Sequence, residues 1–101
     1  MRLIARNGGI EWTDALRRHA ERRLGFALGR FDNRLDTVTV RISDLNGPRG
    51  GVDKQCRIHL RLLRRPPLVV QGTEADAPAA IDRAADRAAR AVARELANDR
   101  D

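Results

Sequence analysis

The sequence predicts an α+β domain with its elements in the order β-α-β-β-β-α. Two observations carry this. Stretches 36–43 and 54–63 alternate apolar and polar residues, the pattern of strands with one buried face. Stretches 13–31 and 76–97 repeat apolar residues every three or four positions behind good helix-capping residues, the pattern of amphipathic helices. The 101 residues hold no internal repeat and no low-complexity linker, so one domain over 1–101 is expected.

The elements follow in order. MRLIAR (1–6) is a short strand closed by Asn7-Gly8-Gly9. Its alternation leaves two registers open: Leu3 and Ala5 inward with Ile4 outward, or the reverse. The first helix, 13–31, starts at Thr13, a good N-cap, with Asp14 favourable at the positive end of the helix dipole. Leu16, Ala20, Leu24, Ala27 and Phe31 make its apolar stripe. Gly25 and Gly29 each weaken its last turns by about 1 kcal/mol relative to Ala. In 36–43, Val38, Val40 and Ile42 face one way and Thr37, Thr39 and Arg41 the other. Residues 44–51 are a Gly- and Pro-rich turn. In 54–63, Cys56, Ile58, Leu60 and Leu62 oppose Gln55, Arg57, His59 and Arg61. Two such strands in succession imply an antiparallel hairpin with one face open to solvent. RRPP (64–67) turns the chain into a strand at 68–73. The last helix, 76–97, begins at Asp76, with Pro78 in its first turn, and NDRD (98–101) is a frayed polar end.

Charge points to the partner. Twenty basic residues against 14 acidic ones give a net charge of +6. Nineteen of the basic residues are Arg and Lys54 is the one Lys. GC-rich coding explains Arg in place of Lys but not the excess of positive charge. A small basic domain suits a polyanion: nucleic acid first, an anionic membrane surface second. On a helix turning 100° per residue, Ile81, Ala85, Ala88, Val92 and Leu96 share one arc, and Arg83, Arg87, Arg90 and Arg94 lie roughly opposite. Asp86 is placed to pair with Arg90. On the first helix Arg18 and Arg22 point away from the apolar stripe, with Arg17 and Arg23 at its borders. Guanidinium groups grip phosphate in a forked geometry and stack on bases, so these eight arginines are the candidate RNA-binding residues. The plainer alternative is a solvated face, since Glu21, Asp82, Asp86 and Glu95 offset part of the charge.

Other chemistry finds little support. His19 and His59 are the only histidines and Cys56 the only cysteine. No nucleophile–base pair and no metal-ligand spacing is visible, so no enzymatic activity, cofactor, metal or small-molecule substrate is expected. GPRGG (47–51) lacks the Gly-Lys-Ser/Thr ending of a phosphate-binding loop. His19 is expected to pack at the edge of the first helix's stripe. His59, on the outer sheet face between Arg57 and Arg61, is placed to stack on a base. Cys56 is expected to be a buried thiol in a reducing compartment. The absence of a leader-like or membrane-spanning run points to a soluble, cytoplasmic protein.

Several stretches together resemble a known family. MRLIARNGGIEWTDALRRHAERRL is similar to the opening of the ribosome hibernation-promoting factors and ribosome-associated inhibitors, also called sigma-54 modulation proteins. The match includes the Thr-capped helix and its Ala15-Leu16-Arg17 step. Phe31-Asp32 matches the family's aromatic–Asp turn before a Val-rich strand. Gly72, Asp76, Ala79, Ala80, Ile81 and Asp82 match its closing Gly and Asp-x-x-Ala-Ala-Ile-Asp run before a basic helix. Phe26-Ala27 and Pro78 depart from the family pattern. The resemblance implies a four-stranded sheet with two roughly parallel helices on one face, like a double-stranded-RNA-binding domain. It implies binding to the small ribosomal subunit and its rRNA, steric block of the mRNA and tRNA path under stress, and no catalysis. By position, Arg17, Arg23, Arg90 and Arg94 match the family's basic helix residues; Arg18, Arg22, Arg83 and Arg87 rest on helix geometry alone. Trp12 stands where the family has an apolar residue, which favours a packed anchor over an exposed contact. Two other readings stay open: a generic double-stranded-RNA binder, and a divergent paralogue acting as a protein-interaction module through the open sheet face or an exposed edge strand. Oligomeric state is not legible.

Overall fold

The computed structural model describes residues 1–46 and 52–98. The turn expected at 44–51 and the polar end at 98–101 lie partly outside the described residues. The elements are β1 (Arg2–Gly8), α1 (Asp14–Leu28), a 3-10 turn (Gly29–Arg34), β2 (Leu35–Asp44), β3 (Lys54–Leu62), β4 (Leu68–Glu74) and α2 (Ala77–Ala97). They reproduce the order read from the sequence.

The strands form one sheet in the order β1-β2-β3-β4. β2, β3 and β4 are an antiparallel meander, and β2–β3 is the hairpin their alternation implied. β1 pairs parallel with β2, which requires a crossover, and α1 supplies it. The β1–β2 register closes the question left open at β1. Leu3 lies beside Val38 and Ala5 beside Val40, so Leu3 and Ala5 face the core and Ile4 lies on the open face. β1 also runs beyond Arg6, because Asn7 and Gly8 still pair with Ile42 and Ser43. The turn falls at Gly9, whose φ of 109° suits glycine; Asn7 Oδ1 accepts its N–H at 2.8 Å.

Both helices cover the same face. The core joins Leu16, Ala20, Leu24 and Leu28 of α1 to Val38, Val40, Ile42, Ile58 and Leu60 of the sheet and to Ala80, Ile81, Ala84, Ala85, Ala88 and Val92 of α2. The helices run roughly parallel, since their contacts advance in the same sense: His19 meets Asp82 and Arg23 meets Asp86. Thr13 Oγ1 accepts the N–H of Leu16 at 3.1 Å, and Asp76 Oδ1 that of Ala79 at 2.8 Å. Both expected N-caps are therefore in place.

Two phases differ from the sequence reading. α1 ends at Leu28, not Phe31. Leu28 is fully buried and takes the stripe's last place, while Phe31 sits half-buried in the 3-10 turn. In α2 the buried arc includes Ala80 and Ala84, and Leu96 is only half-buried. The reason lies in β4. A Cβ on Gly72 would stand 2.8 Å from the backbone N of Ala84, so α2 rests its alanine side directly on β4.

Trp12 is a packed anchor: it lies against the core, and its Nε1 donates to the Arg6 carbonyl at 2.8 Å. Cys56 is fully buried, and burial pushes its thiol up to about 12. The thiolate that reacts with electrophiles is therefore scarce at neutral pH. A disulfide reagent at pH 8 is expected to leave the native protein unmodified and to titrate one thiol in denaturant. Rapid labelling of the folded protein would contradict this placement.

Candidate nucleic-acid interface

The outer surface of the two helices has a seam of polar pairs, with exposed arginines on both helices. Asp82 and Asp86 on α2 face α1 across the seam. Arg23 Nη2 donates to Asp86 Oδ1 at 2.6 Å and to the Asp82 carbonyl at 3.3 Å, and its Nε lies 3.3 Å from Asp82 Oδ1. His19 Nε2 donates to Asp82 Oδ1 at 2.8 Å, since a carboxylate can only accept. Arg23 and His19 are half-buried. Such partly exposed pairs contribute about 1 kcal/mol or less each, yet they commit both side chains to holding the helices together. Asp86 pairs across the seam with Arg23 rather than along α2 with Arg90.

The eight candidate arginines therefore divide. Arg18 and Arg22 on α1 and Arg90 and Arg94 on α2 are exposed, and among the described residues none makes an ion pair. Arg17 is exposed but lies on the β1 side of α1, beside Leu3, Ala5 and Trp12. Arg23 belongs to the seam. Arg83 and Arg87 lean toward the edge of the sheet: Arg83 Nε donates to Glu74, and Arg87 Nη1 donates to the Gln71 carbonyl at 2.8 Å. The arginine stripe of α2 thus flanks β4 instead of standing straight out, because burial of Ala80 and Ala84 rotates the helix from its expected phase.

Two further residues join this surface. Phe26 is 86% exposed on α1 and shares a shallow groove with Ala27, Arg30, Ala89 and Arg90. The Arg30 guanidinium stands 4.6 Å from the centroid of the Phe31 ring, a cation–π distance. The available signal was Phe26's position off the apolar stripe.

A two-helix face with exposed guanidinium groups on both helices is suited to phosphates. The sequence profile of the family described as sigma 54 modulation protein / S30EA ribosomal protein matches residues 4–98. The chain belongs to this family. The structure of a ribosomal subunit interface protein from Coxiella burnetii superposes with a TM-score of 0.80, covering 96% of this chain and 99% of that one. At 14% identity this likeness shows a shared fold. The N-terminal domain of Protein Y from Thermus thermophilus is 32% identical, with a TM-score of 0.68 over 92% of this chain and 93% of that one. No curated protein sequence matches. Within the S30EA family frame, the four-stranded sheet with two parallel helices on one face is the arrangement that the sequence resemblance implied. No helix among the described residues is long and apolar enough to cross a membrane.

Proposed function

We propose that this chain binds the small ribosomal subunit through its helix face and inhibits translation by occupying space that mRNA and tRNA need. The observation that carries the reading is the family match over residues 4–98. Arg18, Arg22, Arg90 and Arg94, exposed and without an ion pair among the described residues, support it as the groups that meet rRNA phosphates. The action is steric and calls for no catalytic step, cofactor or metal.

Co-sedimentation with purified small subunits tests the reading, at low and moderate salt and with excess duplex RNA as competitor. Saturable binding that resists the competitor is expected, weakening steeply with salt as phosphate contacts dominate. Loss of binding to duplex RNA would instead identify a general binder of A-form RNA, which recognises shape and not a folded subunit. No binding even at low salt would end the ribosomal reading.

A further inference from the structure

The face of the sheet opposite the helices carries charge that the helix-face reading does not use. Its outward positions are Arg2, Ile4 and Arg6 on β1, Thr37, Thr39 and Arg41 on β2, Gln55, Arg57, His59 and Arg61 on β3, and Val69, Gln71 and Thr73 on β4. None of these paired positions is acidic and five are arginine, while Asp36, at the bulge of β2, borders the face beside Arg61. The strand register aligns them. Arg6 pairs with Arg41, Arg41 with Arg57, and Arg57 with Gln71. Three arginines therefore stand in one row across three adjacent strands, with about 4.8 Å between neighbouring strands.

Like charges directly opposite each other destabilise a sheet. Little on this face relieves them. Arg57 Nη2 donates to the neutral Gln71 Oε1 at 3.2 Å, and among the described residues the acid that pairs on this face, exposed Asp36, lies 3.8 Å from Arg61 at the far end. Arg6, Arg41 and Arg57 are all exposed. Such a row is costly in the free protein and favourable against a line of phosphates.

The next row is of a different kind. Ile4, Thr39, His59 and Val69 lie side by side, with His59 exposed and Val69 52% exposed. Beyond it, Arg2 and Arg61 flank Thr37. The two arginine rows are four residues apart along a strand, about 13 Å, with an apolar and imidazole-bearing strip between them. A duplex keeps its base faces internally stacked and would leave that strip unused. An unpaired strand can lay its phosphates along one arginine row and its bases over the strip.

We infer that the open sheet face is a second nucleic-acid site, one for single-stranded RNA, with Arg6, Arg41 and Arg57 on the phosphates and His59 against a base. It is independent of where the helix face docks, and a chain with both sites holds two RNA segments on opposite sides.

The test uses fluorescence anisotropy with an unstructured CA-repeat RNA of about twelve nucleotides. The variant is Arg6→Thr/Arg41→Thr/Arg57→Thr, which keeps strand-compatible side chains. Three lost phosphate contacts lower the log–log salt slope by about 2, which at 0.1 M salt is an affinity loss on the order of 100-fold. The variant's melting temperature is expected to equal or exceed the parent's, since repulsion is relieved. Changing Arg18, Arg22, Arg90 and Arg94 to Gln should cost this RNA far less. In the parent, added RNA should shift the amide resonances of Thr39 and His59 before those of α1 and α2. Parent-like affinity in the folded Thr variant, shifts centred on the helices, or equal competition by polyglutamate would each overturn the inference. Small-subunit co-sedimentation of the same variant keeps the two readings apart: a failure here leaves subunit binding by the helices intact, and the reverse also holds.

Discussion

Changing Arg18, Arg22, Arg90 and Arg94 together to Glu is expected to abolish co-sedimentation with the small ribosomal subunit. The magnitude follows from counterion release. Four phosphate contacts contribute a log–log salt slope of roughly 3.6, so at 0.1 M salt their removal costs on the order of a thousandfold in affinity. Reversal adds repulsion to that loss, because each change removes two units of charge from a chain of net +6. The four side chains are exposed and make no ion pair among the described residues, so the melting temperature should stay within a few degrees of the parent's. A Gln set separates contact from overall field: it should lower the salt slope by the same amount with half the charge change. Arg83 and Arg87 are left out because they are tied to Glu74 and Gln71 on β4. Arg23 is left out because it holds Asp82 and Asp86 across the helix seam. A folded Glu variant that pellets with subunits as the parent does would exclude this face.

What could be read without coordinates follows the range of each physical signal. β2 and β3 were legible because alternation is local and their two faces differ sharply: Val38, Val40 and Ile42 against Thr37, Thr39 and Arg41. The helix starts were legible for the same reason, since Thr13 and Asp76 cap groups only three residues ahead. The phase of α2 was not. Ala80 and Ala84 carry too little apolar surface to mark a buried side, yet both are fully buried, Ala84 against the close approach at Gly72. The arginines were legible as a set but not in their commitments. Arg23's place at the border of the stripe was legible, but its partners lie 59 and 63 residues away and were not. The row formed by Arg6, Arg41 and Arg57 was out of reach altogether. Each is an ordinary outward residue on its own strand, and only the register places them side by side.

Gly72→Val is expected to be strongly destabilising. A Cβ at this position would lie 2.8 Å from the Ala84 backbone N, 2.9 Å from the Arg83 Cβ and 3.0 Å from the Arg83 Cγ. The nearest atom is main chain, so no rotamer change clears it and α2 must lift from β4. Overpacking of this kind costs about 1–3 kcal/mol for a methyl and more for a branched side chain. Replacing glycine does restrict the unfolded chain, but that gain is only about 0.4–1 kcal/mol, so the clash wins. At roughly 3 kcal/mol, Gly72→Val should lower the melting temperature by about 12–24 °C, with Gly72→Ala between it and the parent. Arg83→Ala should not rescue either variant, because it removes Cγ and leaves both closer atoms. Gly25 provides the contrast. It lies in the interior of α1 with nothing within 4 Å of its would-be Cβ, and Gly25→Ala should stabilise the protein by about 1 kcal/mol. The same Gly→Ala change is thus expected to act with opposite sign at the two positions. Equal effects would mean that α2 does not rest on β4 at Gly72, and the rotation that turns Arg83 and Arg87 toward the sheet edge would lose its cause.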